Sequence, residues 1–553
     1  MSESVASPVT AGDDRASETA GGSQTSGGSG RIAAPWGRLL WGGGLLLVAI
    51  GLFTLYFRQS WVGPFNSDGA SMILQAQAML HGNVLLSGWQ VADVSFYTTE
   101  LPEYMLVVAV RGVQADAVHI CAGITYTLMV LLAALLARGR ATGPSGLVRA
   151  LLAVGIMLAP SINGGTEVFL ENPDHAGTAV PILLILLLLD RAPERWYVPA
   201  AVCLLLAWVQ VADQLTLIAA TAPVAVVAAV RLIALKRRGR PRGDFRYDAL
   251  LLAAAVLSVA VATAAEAVIH ALGGFRQSPL VYGLLAPVSQ LPANVRTMWG
   301  TLLLLFGANN QGHHGTTHLQ LEIISDLHWI GLALAVAGFA AALGWFFGRR
   351  VDRVTQIVAA ATVATLAAGV FGTVVPDLAH AHEVAVLLPL GAVLAGRMLP
   401  PLAPARRLVG WVGSGALAVW LSALLAALCF AASWGPLTTT NQGLADWLVA
   451  HHYTDGLAGY WQANATTVDS GGQVLVAPIA YQAARPWRWE SPASWYQPDA
   501  HRATFIVAVA DPNAPGVITV AAALKEFGAP AHEYQVGQYV VMVYGYNLLN
   551  RLS

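Results

Sequence analysis

The sequence predicts a mainly α-helical membrane protein, with a polytopic bundle of about eleven transmembrane helices and a small C-terminal α/β domain. Three observations indicate this fold class. First, 56% of the 553 residues are hydrophobic and only 11% are charged, against about 25% charged residues in an average globular protein. Second, apolar runs of the ~20 residues needed to cross a bilayer recur along the chain. Third, short strand-like and helix-like patterns replace these runs near the C-terminus.

The first 37 residues are rich in Ser, Gly and Thr and show no apolar periodicity. Such a segment cannot bury enough apolar surface to fold, so a disordered tail is expected. It is too long and too mixed for the n-region of a cleaved signal peptide, and we expect the first span to remain as an anchor. We therefore divide the chain into a tail (1–37), a transmembrane domain (38–435) and a C-terminal domain (436–553).

Eleven segments have the composition of a membrane span. They lie at 39–57, 117–137, 147–161, 176–190, 197–213, 215–235, 248–270, 327–347, 355–375, 384–399 and 408–432. The third, fourth and tenth are short for a bilayer crossing. Two of the outer connections are long, namely the first outer loop (58–116) and a later one (271–326).

The distribution of basic residues predicts the orientation. With the N-terminus in the cytoplasm, 21 of the 30 Lys and Arg residues fall on the cytoplasmic side, 4 on the outer loops and 5 in the C-terminal domain. This satisfies the positive-inside rule and places the C-terminal domain outside. Lys is nearly absent while Arg, Ala and Gly abound, as in high-GC bacterial genomes. We therefore expect a multi-pass protein of a bacterial plasma membrane.

The C-terminal domain is predicted to have strands at 473–479, 503–511 and 538–546. A helix at 517–527, ended by Gly528 and Pro530, joins the last two strands, which predicts a small parallel α/β layer. No glycine-rich nucleotide fingerprint is present, so no cofactor is expected there. Tyr460, Trp461 and several later Trp residues offer flat faces for stacking a sugar, or core residues for a small domain.

Titratable groups concentrate on the predicted outer face. Ten of the 14 histidines lie on outer loops or outer span ends, and the other four lie in the C-terminal domain. Long outer loops explain part of this bias, but they do not explain why carboxylates lie at span ends. The three cysteines all fall in apolar runs, which argues against a disulfide framework or a cysteine metal site.

Asp68 is the first candidate for chemistry. It follows the first span and precedes an amphipathic helical pattern that begins at Ser71. Ser67 or Asp68 is also expected to cap this helix by accepting backbone N–H bonds. A cap and a catalytic carboxylate are therefore both open at this position.

Two segments of the first outer loop carry a family resemblance. NSDGASMILQAQAMLHGN (66–83) and TTELPEYML (98–106) resemble the first extracytoplasmic loop of GT-C glycosyltransferases, such as the protein O-mannosyltransferases. In that pattern Asp68 matches the acidic position and Glu100 lies in the later Pro-containing turn. Many relatives carry a paired acid where this chain has Ser67-Asp68-Gly69. HEVAVLLPLGAVLAGR (382–397) resembles a late GT-C segment, and the C-terminal domain resembles the tails of GT-C-like bacterial proteins.

The resemblance implies a divergent bacterial GT-C enzyme. Such an enzyme moves a sugar from a polyprenyl-phosphate donor to an extracytoplasmic acceptor, which here means a glycan, lipid or protein of the cell envelope. Asp68 would act as the general base that deprotonates the acceptor hydroxyl. Membrane lipid is a further expected partner, and no nucleic acid is expected.

Other polar residues of the predicted outer loops and outer span ends are candidates for binding the donor or the acceptor. They are Glu100, Glu171, Asp174, His175, Arg276, Arg296, His380, His382 and Glu383. The two arginines could hold a lipid phosphate or simply extend from an interfacial helix to the membrane surface. The His and carboxylate groups near 377–383 could bind a divalent metal or remain ordinary loop residues. His313, His314 and His318 form a second His-rich pattern without an evident fourth ligand.

Two alternatives to a glycosyltransferase are open. A transporter or flippase of lipid-linked sugars would usually show internal repeats and polar groups at mid-membrane, whereas here the ionisable groups lie at outer span ends. A polysaccharide polymerase or ligase would be expected to use basic outer residues, which are scarce. The sequence therefore favours the glycosyltransferase.

Overall fold

Helices dominate a computed structural model of the chain. The structure describes residues 35–552 except 64, 163, 172–173, 238, 240–244, 280–284, 310–317, 347–350, 400–406, 436–440, 482 and 512–516. The chain divides into two units, residues 1–48 and 49–553. The first unit is described only from Pro35, where its one helix begins. Most of the second His-rich pattern, at 313–317, lies outside the described residues.

The helices follow one another through most of the sequence. They are α1 (Pro35–Ser60), α2 (Ser67–Leu80), α3 (Glu100–Arg111), α4 (Asp116–Arg138), α5 (Gly143–Met157), α6 (Gly164–Thr166), α7 (Ala176–Arg191), α8 (Tyr197–Ala212), α9 (Ala222–Arg237), α10 (Arg246–Ala271), α11 (Leu291–Leu305), α12 (His318–Gly344), α13 (Arg353–Phe371), α14 (Leu387–Met398), α15 (Arg407–Ala431), α16 (Gln442–Ala450), α17 (Tyr460–Asp469) and α18 (Val520–Phe527). The strands are β1 (Trp89–Val91), β2 (Arg276–Gln277), β3 (Asp455–Ala458), β4 (Leu475–Pro478), β5 (Ser491–Pro492), β6 (Phe505–Val509), β7 (His532–Val536) and β8 (Tyr539–Val543).

Each of the eleven predicted spans coincides with a helix. In the described part of the chain, seven helices are long and apolar enough to cross a membrane, and the number rises to nine if two bent pairs each count as one. One pair, Gly164–Glu171 with α7, bends by 72°, and the other, Leu378–Val384 with α14, bends by 55°. The remaining two predicted spans match α5 and α8, which have 15 and 16 residues. Helices of this length span a bilayer core only where it is thin.

The bundle core is apolar, and two tyrosines buried in it hydrogen-bond to backbone carbonyls. Tyr56 and Tyr126 meet edge to face, with ring centroids 4.8 Å apart. Their hydroxyls donate to the carbonyls of Leu158 (2.9 Å) and Met157 (2.7 Å), which end α5. Because a buried hydroxyl without a partner is costly, these bonds tie α1 and α4 to the end of α5.

Arginine side chains from four helices and one helix connection meet at one end of the bundle. They line a cavity of about 890 Å³ together with acidic groups, and they are Arg140, Arg149, Arg231, Arg353 and Arg397. Arg397 donates to Asp190 and Asp352, at 2.8 Å each. These ion pairs join α7, α13 and α14 where the helices end.

The C-terminal domain contains a five-stranded sheet in the order β4-β3-β6-β8-β7. Helices α16 and α17 cover one face, and α18 covers the other. The predicted strands and helix are present, but the prediction that β6 and β8 are parallel is wrong. They pair antiparallel because β7 follows α18 and forms a hairpin with β8. The parallel pairs are β3 with β4 and β3 with β6.

A second, three-stranded sheet joins three distant parts of the chain. Strand β1 of the first outer loop pairs parallel with β2 and antiparallel with β5 of the C-terminal domain. Helix α17 also packs on α2, where Ala465 and Val468 join the buried cluster of the first loop. The C-terminal domain is therefore seated directly on the loop that carries Asp68.

Candidate functional site

Asp68 does not cap its helix. The side chain of Asn66 accepts from the backbone N–H of Gly69 at 3.1 Å, so Asn66 is the N-cap of α2. The prediction that Ser67 or Asp68 caps this helix is therefore wrong. Ser67 instead donates to the backbone carbonyl of Tyr460, and the Asp68 carboxyl is left to make contacts outside its own helix.

The partner of Asp68 comes from the C-terminal domain. The Tyr460 hydroxyl is hydrogen-bonded to Asp68 Oδ1 and also to Glu490 Oε2. A tyrosine hydroxyl has one proton to donate. When it donates to one carboxylate, the other carboxyl must itself be protonated to donate to the phenol oxygen. The three groups therefore form a short proton-sharing chain.

Burial determines which carboxyl keeps its proton. Burial raises the pKa of Asp68 to about 6, and the hydrogen bond from Tyr460 partly opposes that rise. Burial also raises the pKa of Glu490 well above its ordinary value, and the nearby charge of Asp68 raises it further. Glu490 is therefore the member that holds a proton more tightly, and Asp68 is the member that ionises more readily and accepts from Tyr460.

Glu171 lies on the other side of Asn66. The Asn66 Nδ2 group donates to Glu171 Oε1 at 3.2 Å, while its oxygen caps α2. The charge of Asp68 acts on Glu171, and that of Asp174 acts on both Glu171 and Glu490. We call Asp68, Glu171, Tyr460 and Glu490 the carboxyl cluster. The structure thus places Asp68, Glu171 and Asp174 in one neighbourhood.

A second group surrounds His175, at the break between Gly164–Glu171 and α7. Its Nδ1 lies 2.9 Å from Asp213 Oδ2, and its Nε2 lies 3.3 Å from Glu383 Oε2. The ring of His382 lies nearly parallel to that of His175, with centroids 5.6 Å apart. We call His175, Asp213, His382 and Glu383 the histidine cluster. Among the residues that the structure describes, His175, His382 and Glu383 form the group whose donor atoms lie close enough together to hold a metal ion.

Glu100 lies beside the histidine cluster. Its Oε1 accepts from Thr178 Oγ1 at 3.3 Å, and its Oε2 is bonded to Thr99. Burial raises the pKa of Glu100 to about 8; the bond from Thr99 opposes this, and the charge of Asp213 adds to it. Glu100 is therefore largely protonated at neutral pH and can donate a hydrogen bond to a ligand.

A small cavity of about 150 Å³ opens beside Glu100 and Glu103. Glu103 accepts from Thr125 at 2.9 Å, and burial raises its pKa to about 7. The cavity walls include Leu128, Leu184 and Trp208, whose side chains are exposed on the apolar surface of the helices. Acidic groups and an apolar outer surface therefore meet at one opening.

Five predicted binding residues are members of neither cluster: Glu100 and Asp174, described above, and Arg276, Arg296 and His380. Arg276 is exposed on β2, and Arg296 is exposed on α11. His380 is bonded to Asp377 at 2.7 Å, with its ring 6.1 Å from that of His382.

Sequence reasoning did not identify Glu490, and it considered Tyr460 only as a stacking surface for a sugar or as a core residue of a small domain. No local pattern marks either residue, because their role depends on a contact with α2 across about 400 positions. Asp213 could have been identified from the sequence. It is an acid at the outer end of the predicted span 197–213, and an ionisable residue in such a position favours a functional role.

Neither a protein-family model nor a curated protein sequence matches this chain. The GT-C resemblance therefore remains a prediction from a few segments. Function must be argued from the two clusters themselves.

Proposed function

We propose that the protein is an integral membrane glycosyltransferase. It would transfer a sugar from a polyprenyl-phosphate donor to a glycan, lipid or protein acceptor on the outer face of a bacterial plasma membrane. The observation that carries the proposal is the position of Asp68, which is free of capping and bonded to Tyr460 where the C-terminal domain meets the first loop. Asp68 is the general base in this proposal.

The chemistry needs one base and one departing phosphate. The acceptor oxygen attacks the anomeric carbon, the bond from that carbon to the phosphate oxygen breaks, and the lipid phosphate leaves with the electron pair. Asp68 takes the acceptor proton through Oδ2, because Oδ1 is occupied by Tyr460. A carboxylate with a pKa near 6 is ionised at neutral pH and is a stronger base than an ordinary aspartate.

The opening beside Glu100 supports a lipid-linked donor. Leu128, Leu184 and Trp208 present apolar surface next to the buried carboxyls, so a prenyl chain could remain among lipids while its sugar reaches polar groups. Protonated Glu100 would donate to a sugar hydroxyl. The donor would then approach from the side of the bundle, and the acceptor from the side of the C-terminal domain.

An assay with purified full-length protein in proteoliposomes tests the proposal. Radiolabelled polyprenyl-phosphate hexoses and pentoses are supplied with cell-envelope extracts as acceptors. We expect label to move into a new glycoside while polyprenyl phosphate accumulates in equal amount. If none of the donors reacts although the protein is folded and inserted, the proposed glycosyltransferase activity is contradicted.

One observation favours the alternative of a transporter or flippase. Both bent helix pairs place ionisable groups at or next to their breaks, namely His175 in one and Glu383 in the other, and these two side chains touch. Broken helices with charged groups at the break are typical of secondary transporters. Uptake of a labelled lipid-linked sugar into sealed vesicles without any new glycosidic bond would establish this alternative.

Tyr460→Phe is expected to shift the pH profile of transfer. A base must be ionised to act, so kcat/KM should fall as the pH drops through the pKa of Asp68 near 6. The hydrogen bond from the Tyr460 phenol stabilises the Asp68 carboxylate, so its removal should raise the pKa of Asp68 and move the acid limb of the profile to higher pH.

Tyr546→Phe, which removes a hydroxyl bonded to Phe527 O in the same domain, is the control. An unmoved limb in Tyr460→Phe would contradict the role of Asp68 as base.

A further inference from the structure

We propose that His175, His382 and Glu383 bind a divalent cation of the zinc type, with Asp213 orienting His175 from behind. This site does not depend on the glycosyltransferase proposal.

The donor atoms lie at a spacing suited to one ion. The offered atoms of the three residues all lie within 4.8 Å of one another. His175 Nε2 and Glu383 Oε2 are 3.3 Å apart, close to the edge of about 3.3–3.5 Å of a tetrahedron with Zn–N and Zn–O bonds of about 2.0–2.2 Å. His382 Nε2 is 3.9 Å from Glu383 Oε1, so a modest side-chain rotation would complete the set.

Asp213 determines which nitrogen of His175 faces the site. The bond of 2.9 Å to Asp213 Oδ2 places the proton on Nδ1, and Asp213 Oδ1 is itself held by the backbone N–H of Leu215 at 2.8 Å. Nε2 of the same ring then faces Glu383. A carboxylate behind a metal-bound histidine is the usual outer support of such sites, since it fixes the ring and raises its basicity.

A positive charge is needed between His175 and Glu383. Without one, the Nε2 lone pair would face a carboxylate oxygen at 3.3 Å, an arrangement that is repulsive in a buried site. A proton or a metal ion could supply the charge. The nearly parallel ring of His382, with its centroid 5.6 Å from that of His175, brings a second imidazole to the same place, where it can serve as a further ligand of a metal.

The ligands come from two irregular segments. His175 has a left-handed backbone (φ 50°) at the 72° break before α7, and His382 and Glu383 lie in the 3₁₀ segment Leu378–Val384 before α14. A shared ion would hold these two breaks together. The side chains of His175 and Glu383 are 8% and 9% exposed, and that of His382 is 33% exposed, so the open coordination position would lie on the His382 side.

The donor set indicates the kind of ion. Two imidazole nitrogens and one carboxylate suit Zn²⁺, and three protein ligands leave a fourth position for water or a ligand. Mg²⁺ and Ca²⁺ prefer sites made of oxygen donors. A zinc-type ion is therefore the expected occupant.

Metal binding to the full-length protein in detergent tests this inference. After chelation and removal of the chelator, Zn²⁺ is titrated, bound metal is measured by mass spectrometry, and the melting temperature is followed. We expect one Zn²⁺ per chain, with a melting temperature that rises with Zn²⁺ concentration, and a tetrahedral absorption spectrum with Co²⁺. No sugar donor is present, so the result is independent of transfer activity.

Three variants make the outcome specific. His382→Gln removes a partly exposed ligand and should abolish stoichiometric binding, while Asp213→Asn should weaken Zn²⁺ binding about 10–100-fold. His380→Gln, whose ring is held by Asp377, is the matched control and should bind as the wild type does. Absence of Zn²⁺ binding in folded wild-type protein, or equal binding in His382→Gln, would overturn the site and leave His175 as a protonated imidazole. Equal loss in His380→Gln would show that the donors are wrongly assigned.

Discussion

Asp68→Asn is expected to lower the rate of sugar transfer by about 10²–10⁴-fold, the usual contribution of a general base. Asparagine has nearly the same shape and can still accept from Tyr460 through its oxygen. It cannot take a proton from the acceptor. The loss should therefore appear in kcat and not only in KM, because the missing interaction belongs to the transition state.

The measurement is initial-rate kinetics of purified variants with a polyprenyl-phosphate sugar that the wild type uses. Asp116→Asn is the matched control, since Asp116 lies at the start of α4 and is paired with Arg111. Its transfer rate should stay close to that of the wild type. Wild-type kcat in Asp68→Asn, with unchanged melting temperature, would exclude Asp68 as the base.

Arg397→Met is expected to destabilise the protein by about 3–5 kcal/mol, the usual cost of removing one partner of a buried ion pair. The Arg397 side chain is only 5% exposed. It donates to Asp190 and Asp352 at 2.8 Å each and to the Leu136 carbonyl at 2.7 Å. Asp190 is also 5% exposed, so its carboxylate would lose its buried charge partner and keep only the half-exposed Arg191, whose Nε lies 3.3 Å from Asp190 Oδ2.

Unfolding of the detergent-solubilised variants by heat or denaturant measures this effect. Arg195→Met serves as the control because Arg195 is exposed on the connection between α7 and α8, and its melting temperature should hardly change. A melting temperature of Arg397→Met equal to that of the wild type would mean that the ion pairs at this end contribute nothing to stability.

Positions of the apolar helices could be predicted because the requirement is local. A bilayer core demands about 20 consecutive apolar residues, and all eleven predicted segments contain a helix. Bends within a segment are harder to predict. The breaks before α7 and α14 depend on contacts such as that of His175 with Glu383, which are 208 positions apart in the sequence.

The N-terminus of α2 shows a limit of local reasoning. Asn66, Ser67 and Asp68 are three consecutive residues that favour an N-cap, and helix boundaries inferred from sequence vary by one or two positions. A difference of two residues, with the cap at Asn66 and not at Asp68, decided whether the Asp68 carboxyl was used within the helix or left for Tyr460. The C-terminal sheet shows the same limit. The helix between β6 and β8 led us to expect that these two strands are parallel, but β8 forms a hairpin with β7 and runs antiparallel to β6.

Composition and apolar periodicity, which are local properties, determined the helical class, the location of the apolar segments and the presence of a folded C-terminal region. Asp68, His175 and Glu383 could also be singled out from sequence, because ionisable residues at the ends of apolar segments are conspicuous. Only the tertiary structure decided their partners. Tyr460, Glu490 and Asp213 reach them through the seating of α17 on α2 and the meeting of two helix breaks, contacts between residues that are distant in the chain.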